Sequence, residues 1–174
     1  MQTFVTTATD DFRAIAKTLD NKRLNKQALE AWQIMMTNLK LDPQGNHREP
    51  KGWYNHPATK MWRGHEITLL RYIQAMTNEW VDRGFKTTIA DKARTTIEQA
   101  IALGRVWNMP TQPEWMLDHD LYSKIASTHR TALLNKDYEY YSQFNWPEDQ
   151  GFRPETYEYI WASMQEEANH EVRH

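Results

Sequence analysis

Arg23, Lys26, Glu30 and Gln33 recur at spacings of three, four and seven within "LDNKRLNKQALEAWQIM", the stretch beginning at Leu19. At about 100° per residue these four side chains fall into one narrow arc of a helix. The arc holds a single carboxylate among cations and an amide. Lys26 and Glu30 stand at i,i+4, but with the lysine first, the orientation that stabilises a helix less. Helix stabilisation therefore explains the pattern poorly. A carboxylate beside cations that can hold phosphates is available to move a proton or to stabilise a developing positive charge.

Other candidates follow along the chain. Glu66 projects onto the apolar face formed by Trp62, Leu69, Ile73, Met76 and Trp80. In such surroundings a carboxylate either finds a donor or has its pKa raised, so Glu66 is a structural ion-pair member or a possible second acid. His56 and Arg63 lie near each other on the flank of the same segment, with His56 at its cap. His129 falls on the apolar face of a later helix and reads as a satisfied core histidine. Arg130 and Lys136 follow it and could serve phosphate contacts. Trp53 and Tyr54, in a glycine-containing loop, could offer a ring face to a base.

Several chemistries lose their usual signatures. "HEVRH" at 170–174 has the H-E-x-x-H spacing of a zinc site, but its polar surroundings offer no cleft. "DHD" at 118–120 resembles half of a phosphohydrolase site without the remaining ligands. There is no glycine-rich phosphate loop, no G-x-S-x-G elbow and no cysteine. Hydride transfer, nucleotide-triphosphate hydrolysis and thiol catalysis are disfavoured, and no metal or cofactor is expected.

The elements that must position these residues read almost entirely as helix. Leu24, Ala28, Ala31, Trp32, Met35 and Leu39 form the apolar stripe of a helix from about Asp20 to Lys40, opposite the polar arc. A short helix after Thr9 precedes it, and a loop with two prolines and two glycines follows. Pro57 suits the first turn of a helix continuing to about Arg83. Thr87 or Thr88 caps another that ends at Gly104, and Asp118 or Asp120 opens one through Leu134. "KDYEYYSQF" makes a short helix, and Pro154 starts a terminal one. The expectation is an all-α, compact, single domain over residues 1–174 with five to seven helices, acting as a monomer.

The net charge of −2 is unevenly spread: residues 1–95 carry +5 and residues 96–174 carry −7. A basic front with an acidic rear allows one face to bind a polyanion. No apolar run approaches the roughly 18 residues that would span a bilayer. The first residues lack the features of a secretory signal, and a cytoplasmic protein without membrane partners is expected.

"LDNKRLNKQALEAWQI", "GWYNHPATKMWRGHEITLLRYIQAMTNEWVDRGF" and "HRTALLNKDYEYY" resemble, in order and spacing, the pyrimidine-dimer DNA glycosylases, the phage endonuclease V group. The resemblance spans roughly residues 15–146. It implies a compact helical enzyme that kinks duplex DNA, extrudes a base, cuts the N-glycosidic bond and can nick the abasic site. It also implies a catalytic glutamate on an early helix, which falls on Glu30, with Arg23 and Lys26 on the DNA-facing side. Gln33, His56, Arg63, Arg130 and Lys136 are the further expected DNA contacts. The family nucleophile is the α-amine exposed by loss of the initiator Met from a small second residue. Here residue 2 is Gln, whose bulk is expected to block that removal. Three routes stay open: the Met1 amine, Lys26, or hydrolysis without an imine. An unperturbed α-amine titrates near 7.7–8 and lysine near 10.4, which favours the terminus as the neutral amine. The rival functions are a non-catalytic nucleic-acid-binding module of the same fold and a metal-dependent hydrolase using His119 and Asp120.

Overall fold

The computed structural model describes residues 1–107 and 109–163. Eight α-helices and two 3-10 turns occur among them, with no strand. The α-helices are α1 (Phe12–Thr18), α2 (Asn21–Leu39), α3 (Pro57–Lys60), α4 (Glu66–Asp82), α5 (Ile89–Ala102), α6 (Glu114–Leu117), α7 (His119–Lys136) and α8 (Tyr138–Tyr141). The all-α expectation holds. The count exceeds five to seven because α3, α6 and α8 are single turns of four residues.

α2 starts where Asp20 accepts the Arg23 N–H at 3.0 Å and stops at Lys40, whose φ of 54° takes the chain out of the helix. Its stripe from Leu24 to Leu39 is buried against α4 and α5, with the Trp32 indole donating to Thr96 Oγ1 at 3.0 Å. α1 packs on α4, and Phe12, Trp62, Tyr72, Trp115 and Tyr122 interlock beneath it, edge to face except for the tilted Trp62–Tyr72 pair.

Two helix expectations are corrected. The segment from Pro57 to Arg83 is two helices, not one. Gly64 turns the chain at φ +82°, and Glu66 accepts the Gly64 N–H at 2.9 Å as α4 begins. The break lets the buried Trp62 indole donate to Thr3 Oγ1 at 2.8 Å. Pro154 starts no helix either: residues 154–161 are non-helical, and among the described residues beyond them Ala162 and Ser163 are helical. Asn135 Nδ2 holds this strap by donating to the Pro154 carbonyl at 2.7 Å.

The first six residues have no regular structure yet are nearly all buried. Buried backbone donors must be paired, and here side chains pair them. Gln27 Oε1 accepts the Phe4 N–H at 2.7 Å and the Tyr72 hydroxyl at 2.8 Å. His129 Nδ1 accepts the Val5 N–H at 3.0 Å, and Arg130 donates to the Thr6 carbonyl at 2.9 Å. The amino terminus thus threads between α2, α4 and α7.

Candidate active site

The thread ends on Glu30. The Gln2 backbone N–H donates to Glu30 Oε2 at 3.0 Å. The Glu30 side chain is only 12% exposed, because the terminal segment lies over the arc of α2 that sequence spacing placed toward solvent. Lys26 remains open, 66% exposed, with Nζ 3.6 Å from Glu30 Oε1. One turn further along, Gln33 lines a cavity of about 300 Å³ together with Met1, Met36, Arg48, Lys51 and Trp53.

His56 caps α3, its Nδ1 accepting the Ala58 N–H at 3.1 Å. Its ring lies 4.7 Å from Trp53 and edge-on to Trp161 at 5.6 Å. Burial, and then the nearby Met1 ammonium, push the imidazole below its ordinary pKa. Carboxylate, histidine and an exposed indole therefore gather around the chain terminus. Trp53, 48% exposed, keeps a face open, whereas Tyr54 is covered by the Arg63 guanidinium at 3.8 Å.

The other expected contacts fare differently. Arg23 donates to Asp20 at 2.7 Å and approaches Asp137 at 3.6 Å, and it also stacks over Tyr141, so it braces the start of α2. Arg63 donates to Asn38 Oδ1 at 3.2 Å and to the Tyr54 carbonyl, which ties α4's approach to α2 and the 3-10 turn Gly52–Asn55. Arg130 engages Glu148 through two bonds, at 2.8 and 2.7 Å, besides Thr6. Its guanidinium is a clamp between the terminal segment and the loop after α8. Lys136 is exposed and donates to the Tyr157 hydroxyl at 2.7 Å.

Glu66 is buried and bonded to its own turn, and burial raises its pKa against the pull of the Gly64 N–H. His129 is the satisfied core histidine its position suggested, fully buried and pushed down to about 3 by desolvation. No group of three or more metal-ligating side chains assembles among the described residues, so His119 and Asp120 find no partners there. "HEVRH" lies outside the described residues.

Spacing alone did not reveal Gln2, Gln27, Tyr159 or Trp161. Gln27 was legible as a polar residue on the buried face, three after Leu24 and four before Ala31. The alternation of Tyr157, Tyr159 and Trp161 was a period-2 signal for an extended segment.

A family model described as pyrimidine dimer DNA glycosylase matches residues 1–93. The chain belongs to that family. Comparison with curated proteins and with solved structures finds no match. The family match covers the terminal thread, α1 to α4 and the start of α5, and so includes Met1, Gln2, Lys26, Glu30, Gln33 and His56. Arg130, Lys136 and the strap lie beyond it. Among the described residues no helix is long and apolar enough to cross a membrane.

Proposed function

We propose that this protein excises a damaged or modified pyrimidine from duplex DNA, with Glu30 as the catalytic carboxylate and the chain-terminal amine at Met1 as nucleophile. The observation that carries this reading is the 3.0 Å bond from Gln2 N–H to Glu30 Oε2, which sets the terminus beside a shielded acid. The amine's lone pair forms the bond to the sugar C1′ as the base leaves with the glycosidic electron pair. Glu30 stabilises the positive charge developing on the sugar. It then takes the proton that the attacking nitrogen loses and returns it to the ring oxygen as the sugar opens to an imine. Elimination from that imine supplies strand nicking at the abasic site. Extruding the base costs a few kcal/mol, least at a damaged or mispaired site, and so contributes selectivity.

Lys26 Nζ, 3.6 Å from Glu30 Oε1, is the competing amine. Its open, flexible position at the surface suits phosphate binding better than attack within a shielded site. Lys26→Ala is expected to weaken duplex binding across sequences. The slope of log affinity against log salt should then fall by about one unit. Arg23→Ala, removing a guanidinium already held by Asp20 and Asp137, lowers the melting temperature and leaves that slope unchanged. Fluorescence anisotropy titrations from low to moderate salt, with thermal melts of each variant, check both expectations.

A further inference from the structure

The strap of residues 154–161 lies outside the family match and outside the chemistry above, yet it ends on the candidate site. It runs back along α7: Asn135 binds the Pro154 carbonyl at 2.7 Å, Lys136 binds Tyr157 at 2.7 Å, and the Ile160 N–H donates to Thr128 Oγ1 at 3.3 Å. Its aromatic residues alternate, and two of them reach the terminus. The Tyr159 ring stands edge-on to His129 at 5.5 Å and 6.5 Å from Phe4, and Trp161 stands edge-on to His56.

We propose that Tyr159 is a positioning residue for the reaction: through Gln2 and His129 it fixes the register that sets the chain terminus against Glu30. Gln2 is the joint. Its Oε1 accepts the Thr3 N–H at 2.8 Å, its Nε2 lies 3.2 Å from His129 Nε2, and its backbone N–H goes to Glu30. The Tyr159 ring closes on the His129 imidazole that this same side chain meets, and its hydroxyl stands near Gln2. Burial, then Tyr157, push that hydroxyl up in pKa, Gln2 opposes them, and the Glu30 charge adds to the rise. Because residues 1–6 have no ladder of their own, loosening Gln2 frees the nitrogen on Glu30. A misplacement of about 1 Å at a reacting group costs on the order of 100-fold in rate.

The inference rests on Glu30 and the terminus being the reacting pair, so the test has one arm on activity and one on structure. Tyr159→Phe keeps the ring against His129 and removes only the hydroxyl. Single-turnover base release from a damaged duplex is expected to fall about tenfold, with KM within about twofold and the melting temperature within about 2 °C. Exchange of the Thr3 and Val5 amides, followed by NMR, is expected to quicken about tenfold while the α4 amides stay protected. An unchanged rate in an active enzyme, unchanged Thr3 and Val5 protection, or a rate loss matched by global destabilisation overturns the role. If wild type and Glu30→Gln release base equally, or neither does, the reacting pair is wrong. The amide exchange then still decides whether Tyr159 holds the terminus.

Discussion

Glu30→Gln is expected to slow base release from damaged duplex DNA by about 10²–10⁴-fold, the usual contribution of a positioned acid or base. Duplex affinity is expected to stay within about threefold. The substitution preserves shape and an oxygen that can still accept the Gln2 N–H, so the terminal thread has no reason to move. What disappears is the negative charge facing the sugar and the site that takes the proton from the attacking amine. Side-chain shielding makes the loss large: at 12% exposure, water replaces a missing carboxylate poorly. Full activity in this variant excludes Glu30 as the catalytic carboxylate. Unaltered binding by a wild-type protein that releases no base would favour a binding module that keeps only the fold.

Arg130→Ala carries the largest expected effect on stability, about 3 kcal/mol, with DNA affinity per folded molecule unchanged. Sequence position offered Arg130 to phosphate, but its guanidinium is committed to Glu148 and to the Thr6 carbonyl. Removing one partner of a well-shielded ion pair leaves the other charge without compensation, which typically costs 3–5 kcal/mol. Both side chains are about 15% exposed, so the lower end applies. Burial works against the charged Glu148, but the bonds from Arg130 and Ser127 hold its pKa below the usual carboxylate value. That stabilisation is present above about pH 4 and is lost as pH falls through the lower folded-state pKa. The acid limb of the stability curve should therefore flatten in Arg130→Ala. Urea melts across pH 2 to 7 check the magnitude and the sign.

The helical frame was legible where periodicity and caps agreed. In α2 the stripe from Leu24 to Leu39 and the start at Asp20 both stand as read, because one apolar face faces one core. The break at Gly64 was not, since the apolar spacing of Trp62 and Leu69 continues through it while the backbone turns. The site was half legible. Glu30 stood out by its charge and spacing, but its shielding comes from residues 1–6, which have no periodicity to read. They are held by Gln27, Tyr72 and His129, each from a different helix. The bonds from Arg23 to Asp137 and from Arg130 to Glu148 could not be read from spacing, because each carboxylate lies outside its arginine's own helix.

Borohydride reduction on DNA carrying an abasic site, followed by peptide mass mapping, tests most directly whether the terminus and Glu30 react together. Hydride reduces an imine to a stable amine and so marks the nitrogen that held the sugar. The adduct is expected on the N-terminal peptide, at the amine of Met1, with trapping strongly reduced in Glu30→Gln. If Met1 is removed, the marked amine becomes that of Gln2, the nitrogen already 3.0 Å from Glu30 Oε2. An adduct on the Lys26 peptide, or base release with no trappable adduct, contradicts the terminal nucleophile.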